Sequence, residues 1–329
     1  MTDTRPLVSI LLIAYRQADT VGAALAGALA QTYQPLEIIA SDDASGDGTF
    51  EAMQQAVAGY TGPHRVVLNR NQHNLGIGAH LSALAQQAQG ELLMVAAGDD
   101  VSLPQRCEKL VGAWLAHERR PDLLASALAD LDADGRVHGE IVPSDLAAYT
   151  SLAQWAAQPP FVVGAAQAWT KRLFDRFGPL PPGTVAEDLV MVFRAIGSGG
   201  AITLREPLVQ YRRGGISRRR RNLHARDVVE RLLKNNRHAL VETQQMLKDA
   251  ELMGRLDEIG PHLRAVLARE RFIADLFAAP GFAARCGVVL RAGTQPLALR
   301  LRLWVYAAAP WLLAPFFTLK RLAARRKGN

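Results

Sequence analysis

Residues 8–49 read VSILLIAYRQADTVGAALAGALAQTYQPLEIIASDDASGDGT, and their pattern predicts the fold class. The apolar run Leu7–Ala14 is rich in valine, isoleucine and leucine, which predicts a strand buried on both faces, as in parallel sheets. The alanine- and leucine-rich segment Val21–Gln31 predicts a helix, and Leu36–Ala40 predicts a second short strand. Strand, helix and strand at this spacing indicate a parallel sheet wrapped by helices.

The same alternation continues through the first hundred residues. Further strands are predicted at Arg65–Leu68 and Leu92–Ala97, and further helices at about Phe50–Gly59 and Ala79–Gln89. A polar loop that contains glycine is predicted at Asn69–Gly78. The fold class is therefore α/β: a Rossmann-like, mostly parallel sheet flanked by helices.

Polar or acidic segments follow three of the four predicted strands. They are Tyr15-Arg16, Asp42-Asp43 and Asp99-Asp100. In parallel sheets, ligands collect at the carboxyl ends of the strands. Two carboxylate pairs at neighbouring strand ends repel one another unless a cation or hydrogen-bond donors are present. This pattern predicts a metal-assisted site at that edge of the sheet.

The charge of the chain is divided unevenly between its two parts. Residues 1–200 carry a net charge of −8 (13 Lys and Arg, 21 Asp and Glu), whereas residues 201–329 carry +15 (25 and 10). A long polar helix is predicted over Asp227–Glu251. We therefore place a domain boundary near residue 220, with an α/β domain over 1–220 and a basic, helical region over 221–329.

The termini and the cysteines bear on localisation. The apolar run before Tyr15 is too short for a signal peptide. Cys107 and Cys286 lie far apart without a CxxC partner, so a disulfide framework or a cysteine zinc site is not expected. The histidines show no zinc-binding spacing. These features predict a cytoplasmic protein in a reducing compartment.

The C-terminal segment 300–321 is a candidate for membrane association. Trp304–Leu319 lacks charge, but its sixteen residues fall short of the ~20 that a spanning helix needs, and Pro310 and Pro315 would interrupt a regular helix. With flanking cations, the segment predicts an in-plane or shallow anchor on an anionic membrane. The alternatives are a packed helical hairpin, an oligomer contact or, for the basic surface, a solvated face; binding to nucleic acid is not expected.

Several motifs occur in one order and spacing over roughly the first 215 residues. Together they resemble the family 2 glycosyltransferases of the GT-A fold, whose pattern includes an Asp-Asp-Gly-Ser loop and a DxD motif. The matching segments are Ala14-Tyr15-Arg16, Ala30-Gln31-Thr32-Tyr33, Asp42-Asp43-Ala44-Ser45, Asn74-Leu75-Gly76, Gly90-Glu91, Gly98-Asp99-Asp100, Glu187-Asp188 and Tyr211-Arg212.

The resemblance implies a role for each matched position. Asp43 would contact the nucleotide base, and Asp99 would be the main ligand of a Mg²⁺ or Mn²⁺ ion, supported by Asp100. Asp188 would be the general base, with Glu187 beside it. The implied donor-binding set is Ala14, Tyr15, Arg16, Asp43, Asn74, Gly76, Asp99, Asp100, Arg212 and Arg213.

Three departures from the family pattern matter for the chemistry. Ala97 replaces the first acid of the DxD motif, Arg16 replaces the common asparagine, and Arg213-Gly214-Gly215 stands where a histidine often follows Tyr-Arg. The first departure leaves open a non-catalytic nucleotide-sugar-binding or scaffold protein. A nucleotidyltransferase is a weaker alternative, because no lysine of a phosphate-binding loop occurs before Lys109.

The chemistry implied by the resemblance is inverting transfer of a sugar from a nucleotide-diphosphate donor to an acceptor hydroxyl. The acceptor would be a glycan or lipid-linked molecule in cell-surface polysaccharide or glycolipid synthesis, at the cytoplasmic face of the inner membrane. Taken without the family, Glu187-Asp188 is better explained as the first turn of a helix, where the helix dipole favours acids.

Overall fold

The computed structural model describes residues 5–132, 134–212 and 225–313, which divide into two compact units. The first unit comprises the described residues up to 212 together with Lys248–Ile259. The second comprises residues 225–247 and 260–313. The predicted boundary at residue 220 lies outside the described residues, as do Arg213 and the part of the 300–321 segment beyond residue 313.

Nine strands within the described residues form one mixed sheet in the first unit. Its strand order is β3-β2-β1-β4-β8-β6-β9-β5, and β7 pairs with β6 beside this path. The strands are β1 (Val8–Ala14), β2 (Leu36–Asp42), β3 (Arg65–Arg70), β4 (Leu92–Ala97), β5 (Val101–Ser102), β6 (Leu123–Leu131), β7 (Val137–Ile141), β8 (Gln167–Thr170) and β9 (Ala201–Arg212).

The first half of the sheet is parallel, as the sequence predicts. β1 lies between β2 and β4, and β2 also pairs with β3. Nearly every side chain of β1, β2 and β4 is buried, because helices cover both faces of the sheet. The predicted α/β fold class is confirmed.

The second half of the sheet contains antiparallel pairs that the sequence did not predict. β8 runs antiparallel between β4 and β6, whereas β9 runs parallel to β6. The short strand β5 pairs antiparallel with β9, with Val101 opposite Gln210. Because Val101 directly follows Asp100, this pairing carries the end of β9, at Arg212, to the Gly98–Asp100 turn.

The helices of the first unit cover the sheet on both sides. Side chains of α1 and α4, among them Leu25, Leu110 and Trp114, pack with apolar residues of β1, β2 and β4 in the main core. The helices are α1 (Val21–Leu29), α2 (Thr49–Val57), α3 (Ile77–Gln87), α4 (Arg106–Ala116), α5 (Leu152–Ala157), α6 (Lys171–Phe177) and α7 (Glu187–Ile196).

Several observed boundaries differ from the predicted ones by one or two residues, and two of these differences have a clear physical reason. β2 continues past Ala40 to Asp42, because Ser41 and Asp42 pair with Asn69 and Arg70 of β3. α3 begins at Ile77 instead of Ala79, because Gly76 adopts a positive φ of 77° directly before the helix.

The second unit is helical. The helix predicted over Asp227–Glu251 is observed as α8 (Ala225–Leu252), whose last residues belong to the first unit. Phe272, Ile273, Leu276 and Leu303 form the apolar cluster of the second unit. The other helices are α9 (Leu256–Ala278), α10 (Gly281–Arg291) and α11 (Leu297–Ala308).

The C-terminal region contains the helix break that the sequence predicts. α11 ends at Ala308, and the short 3₁₀ turn Pro310–Leu313 follows it. Among the described helices, none has both the length and the apolar character needed to cross a bilayer.

A buried ion pair joins α7 to the end of α8 within the first unit. The guanidinium of Arg194 donates to both carboxylate oxygens of Asp249, from Nε at 2.8 Å and from Nη2 at 3.3 Å. Its Nη1 donates to the carbonyl of Gly178 at 3.0 Å. Arg194 is fully buried and Asp249 is 2% exposed, so neither charge has water as an alternative partner.

We expect Arg194→Met to lower the free energy of unfolding by ~3–5 kcal/mol, because it removes the buried guanidinium that donates to both oxygens of the Asp249 carboxylate. The double variant Arg194→Met/Asp249→Leu should lose less, because apolar side chains then replace both members of the buried pair. Urea unfolding of the full chain measures both. The half-exposed pair Lys109–Glu206 is the control, and Lys109→Met should cost less than ~1 kcal/mol. A double variant as unstable as the single one would contradict this account.

Candidate active site

The carboxyl ends of β1, β2 and β4 meet at one edge of the sheet. Ala14 pairs with Asp42, and Ile13 pairs with Ala97. The two loops continue this pairing: the Asp43 amide donates to the Ala14 carbonyl, and the Gly98 amide donates to the Ile13 carbonyl, each at 2.9 Å. Both acidic segments therefore leave the sheet on either side of the end of β1.

The carboxylate of Asp43 is held by the loop that precedes α3. Its Oδ1 accepts from Asn71 Nδ2 at 2.8 Å and from the Leu75 amide at 2.9 Å, while Oδ2 accepts from the Gly76 amide at 2.9 Å. Asn74 Nδ2 donates to the Asp43 carbonyl at 3.4 Å. The structure thus brings together Asp43, Asn74 and Gly76, three residues of the predicted donor-binding set.

The carboxylate of Asp42 has different partners from that of Asp43. It is fully buried, and its carboxylate accepts from the Ser45 amide at 3.1–3.2 Å and lies 3.5 Å from Arg70 Nε. These contacts shape the Asp42–Ser45 turn. Asp43 is held instead by the loop before α3, so the two acids of the pair have separate partners.

Two residues next to this turn have left-handed backbone conformations. Arg16 has a φ of 55° and Ala44 a φ of 57°. The asparagine and glycine of the family pattern tolerate this region better than arginine or alanine, so these departures store strain of roughly 1 kcal/mol each. A 2.7 Å hydrogen bond from the Arg16 amide to Ser45 Oγ helps to hold the conformation.

Tyr15 and Arg16 form an accessible part of the site. The Tyr15 side chain is 43% exposed, and the Arg16 guanidinium carbon lies 5.1 Å from the centre of the Tyr15 ring. An exposed aromatic ring beside a cation can stack on a planar, anionic ligand. Ala14, at the end of β1, is 2% exposed.

Gly98 allows the loop after β4 to pass close to β1. A Cβ atom at Gly98 would lie 2.7 Å from the Ala14 Cβ and 2.5 Å from Gln17 Oε1, closer than atoms can approach. Only glycine therefore fits here without displacing Ala14. The tight passage places Asp99 beside Gln17, whose side chain hydrogen-bonds the Asp99 carboxyl.

Asp99 and Asp100 form a crowded pair of carboxyl groups. Burial and the neighbouring charge of Asp99 raise the pKa of Asp100 to about 8. Burial also raises the pKa of Asp99, against the opposing effects of Gln17 and Arg212. Protein groups alone therefore do not compensate both negative charges, and a cation at this position would do so.

Arg212 reaches the carboxyl pair from the end of β9. Its amide donates to Asp100 Oδ1 at 2.8 Å, and its positive charge lowers the pKa of both Asp99 and Asp100. Its Nε is buried and has no hydrogen-bond partner within the described part of the chain. A buried guanidinium donor without an acceptor suits an anionic oxygen of a ligand.

Arg106 is a residue of this region that the sequence analysis missed. Its side chain is 1% exposed and lies at the start of α4, where Nη1 donates to Ser102 Oγ and Nη2 to the Val95 carbonyl, each at 2.9 Å. Burial lowers its pKa to about 10, and the Asp100 charge opposes that effect. A single arginine after a proline turn gives no sequence signal for this placement.

His80 is a second residue that the sequence analysis missed, and a series of hydrogen bonds connects it to Asp43. Its Nε2 is 2.6 Å from Ser41 Oγ, which also accepts from Asn69 Nδ2 at 2.8 Å. Asn69 Nδ2 donates in turn to Asn71 Oδ1 at 3.0 Å, and Asn71 donates to Asp43. Burial lowers the pKa of His80, against the charges of Asp43 and Asp42, so the ring is neutral near pH 7.

Glu187 and Asp188 occupy the first turn of α7, as the purely structural interpretation predicts. Glu187 is 8% exposed and Asp188 is half-buried. They pack against Gly164: a Cβ atom there would lie 2.6 Å from Glu187 Oε1 and 3.5 Å from the Asp188 Cβ. The 3₁₀ turn Gly164–Ala166 packs against β4. The pair therefore lies near β4, and a first-turn position is compatible with a catalytic function as well.

The fit of a metal ion depends on the Asp99-Asp100 pair. Among the described residues, no cluster of three or more His, Cys, Asp or Glu side chains has metal-binding geometry. Mg²⁺ and Mn²⁺ bind readily through one or two carboxylates when phosphate oxygens and waters complete the coordination. Ala97 contributes no carboxylate, so Asp99 and Asp100 are the residues that fit this mode.

Comparisons with known protein sequences identify the N-terminal part of the chain. Residues 9–126 match the profile of glycosyl transferase family 2. The EpsE protein of Bacillus subtilis is 32% identical over 139 residues, which cover 42% of this chain and 49% of EpsE. The UDP-Glc:alpha-D-GlcNAc-diphosphoundecaprenol beta-1,3-glucosyltransferase WfaP of Escherichia coli is 31% identical over 94 residues, which cover 29% and 36%. The match thus spans about half of EpsE and about a third of WfaP.

Solved structures share the fold along most of the chain. S. aureus TarS 1-349 in complex with UDP-GlcNAc has a TM-score of 0.54 at 13% identity, with 90% of each chain covered. The mannosyltransferase PcManGT of Pyrobaculum calidifontis, in complex with GDP-Man and Mn²⁺, has a TM-score of 0.51 at 17% identity and covers 95% of this chain and 88% of its own. At such identities the likeness establishes the fold. With the profile match and the ordered motifs, it follows that this chain carries a family 2 glycosyltransferase domain of the GT-A fold.

Proposed function

We propose that this chain transfers a sugar from a nucleotide-diphosphate donor to an acceptor hydroxyl, with inversion at the anomeric carbon. One observation carries the proposal: the Asp43 loop, the Asp99-Asp100 pair and the end of β9 at Arg212 meet at the carboxyl ends of neighbouring strands. That edge of an α/β sheet is where nucleotides bind. Membership of the family supports the same activity.

Asp43 would recognise the base of the donor. An ionised carboxylate accepts hydrogen bonds and donates none, so it suits bases with a ring N–H, such as uracil and guanine. Oδ2 has one described donor, the Gly76 amide, and retains acceptor capacity for that N–H. The ligands of the similar structures, UDP-GlcNAc in TarS and GDP-Man in PcManGT, carry these two bases. Tyr15 and Arg16 would line the same pocket.

Asp99, supported by Asp100, would hold a Mg²⁺ or Mn²⁺ ion at the diphosphate. When bound, the cation would neutralise negative charge that develops on the leaving nucleoside diphosphate. The Mn²⁺ in the PcManGT structure supports this assignment. Arg212 would add a fixed positive charge. Its buried Nε has no acceptor within the described residues and would donate to an anionic oxygen of the ligand. Arg213 stays in the proposed donor-binding set, outside the described residues.

Asp188 would act as the general base, with Glu187 beside it. A new bond forms between the acceptor oxygen and the anomeric carbon as the bond from that carbon to the diphosphate oxygen breaks. The acceptor proton passes to the Asp188 carboxylate, and both bonding electrons leave with the diphosphate. A single displacement from the face opposite the leaving group inverts the anomeric configuration, as in inverting glycosidases.

The acceptor would be a glycan or a lipid-linked saccharide. WfaP is named for transfer to a diphosphoundecaprenol-linked sugar, and a relative from Rhizobium meliloti is a succinoglycan biosynthesis protein. We therefore place the reaction in cell-surface polysaccharide or glycolipid assembly, at the cytoplasmic face of the inner membrane. Nucleic acid is not a proposed partner. We keep the proposed division into 1–220 and 221–329.

One observation favours a second candidate function. Ala97 replaces the first acid of the DxD motif, so the site has one carboxylate fewer than the family pattern. A protein that binds the nucleotide-sugar without turnover would tolerate that loss. Calorimetry distinguishes the two, because such a scaffold binds the nucleoside diphosphate but releases none from the donor.

We expect donor turnover to depend on both proposed carboxylates. Full-length protein is incubated with UDP- and GDP-sugars and Mg²⁺ or Mn²⁺, and nucleoside diphosphate release is measured. Asp188→Asn should lower the rate by about 10²-fold or more, the size of effect that general acid–base groups contribute. Asp99→Asn should lower it by a similar factor, because it removes the main ligand of the cation that would stabilise the leaving diphosphate. Chelator should abolish it in the wild type. Asp175→Asn, on the exposed face of α6, is the control and should leave the rate unchanged. Equal release from the Asp99→Asn and Asp188→Asn variants and the wild type would refute the assignment.

We expect His80 to support nucleotide affinity through the hydrogen bonds that lead to Asp43. His80→Ala should weaken UDP or GDP binding about fivefold, the loss that corresponds to one buried hydrogen bond of ~1 kcal/mol. Isothermal titration calorimetry measures this loss. His64→Ala is the matched control: His64 is buried and bonds the Gln31 carbonyl at 2.9 Å, at the opposite end of the strands. That variant should lose stability but keep its affinity, and equal affinity losses would refute the role of His80.

A further inference from the structure

The helical hairpin formed by α10 and α11 exposes large apolar side chains. Leu290 is 79% exposed, Leu297 59% and Leu301 52%. Exposed leucines in this number are costly in water unless another surface covers them. Phe282, at the start of α10, and Trp311 and Leu312, which follow α11, are exposed as well.

All the Lys, Arg, Asp and Glu residues in the C-terminal part of the chain, from Leu276 onward, are basic. From Leu276 to the C-terminus the sequence contains nine lysines and arginines and no aspartate or glutamate. Four of these cations lie on the described hairpin: Arg285, Arg291, Arg300 and Arg302. These four arginines, with no acid on the same two helices, give the hairpin a net positive charge that attracts anions.

Two of the four arginines tie the hairpin together. Arg285 Nη1 donates to the Ala307 carbonyl in the last turn of α11 at 2.7 Å, and Arg300 Nη1 donates to the Val289 carbonyl in the last turn of α10 at 2.9 Å. Each helix therefore supplies a cap for carbonyls at the end of the other. Arg291 and Arg302 are exposed.

The exposed leucines and the exposed arginines lie around the tip of the hairpin. Leu297 and Leu301, four residues apart, share one face of α11 near its start. Leu290 and Arg291 end α10, and Arg302 follows Leu301. We name these five residues the tip surface: Leu290, Arg291, Leu297, Leu301 and Arg302.

We infer that the tip surface binds a bilayer with anionic headgroups and lies in the plane of its interface. Leucines that enter the headgroup region beside arginines that meet lipid phosphates are the typical composition of an interfacial helix. No described helix is suited to span the bilayer, which agrees with peripheral contact. The inference goes beyond the proposed function, because it concerns the second unit and stands whether or not the first unit turns over a donor.

Other occupants fit the tip surface less well. A second copy of the hairpin would bring arginines against arginines with no acid to pair them, so self-association is opposed electrostatically. A nucleic acid would meet the arginines but leave the leucines in water. An anionic bilayer satisfies both kinds of side chain at once.

The test is cosedimentation of the full chain with sucrose-loaded vesicles of phosphatidylcholine alone or with 30% phosphatidylglycerol. We expect binding to the anionic vesicles and little to the neutral ones. Arg291→Gln/Arg302→Gln should weaken binding by about 25-fold, at about fivefold for each cation near an anionic surface. Leu290→Ser/Leu297→Ser/Leu301→Ser should weaken it at least as much. Arg120→Gln/Arg136→Gln, two exposed arginines of the first unit, is the charge-matched control and should bind like the wild type.

Several results would overturn the inference. They are equal binding to both vesicle types, undiminished binding by the tip variants, or an equal loss in the control. A mass near that of a dimer in light scattering that falls to a monomer in the leucine variant would identify a second copy as the occupant. Donor release in vesicle-free solution is measured for every variant and should match the wild type. If the wild type releases no nucleoside diphosphate but vesicle binding behaves as expected, only the proposed function is contradicted. If release occurs but vesicle binding does not behave as expected, only the inference about the tip surface is contradicted.

Discussion

Mutual repulsion among four carboxylates at one edge of the sheet is the constraint on which the site depends. The negative charges of Asp42 and Asp43 are compensated by nearby groups. Asp42 is close to the Ser45 amide and Arg70, and Asp43 accepts from donors in the loop before α3. Those of Asp99 and Asp100 are compensated only in part, so the pKa of both stays raised despite Arg212. The same sheet edge thus holds one acidic pair whose charges meet donors within the protein and one whose charges do so only in part. The proposed roles follow this difference, with Asp43 assigned to the base and Asp99 and Asp100 to a cation at the diphosphate.

The carboxyl ends of β1, β2 and β4 lie close together, and this restricts the backbone conformation of the loops that follow them. Gly98 is required because the loop after β4 passes against Ala14, and Arg16 and Ala44 are held with positive φ beside it. The surrounding hydrogen bonds, such as that from the Arg16 amide to Ser45 Oγ, keep these conformations in place. A rigid site of this kind presents its acceptors and donors before the ligand arrives, which limits the entropy lost on binding.

The sequence predicts what depends on local pattern. Apolar runs and acidic strand ends located β1, β2 and β4, and the ordered motifs pointed to the loops of Asp43 and Asp99. The antiparallel pairs around β8 and β5 were missed, because they join segments far apart in the chain whose short runs carry little periodicity. Arg106 and His80 were missed for the same reason: each acts through contacts with residues 11 to 61 positions away. The position of Arg212 beside Asp100 follows from the β5–β9 pairing.

The exchange of arginine caps between α10 and α11 has a consequence for solvation. The end of a helix usually relies on water to satisfy its last carbonyls, and water becomes scarce wherever a surface is covered. Because Arg285 and Arg300 supply donors from within the hairpin, the carbonyls of Ala307 and Val289 keep their hydrogen bonds when the surroundings dry out. These two carbonyls therefore need no water as a partner, which lowers the cost of moving the hairpin from a wet to a dry environment.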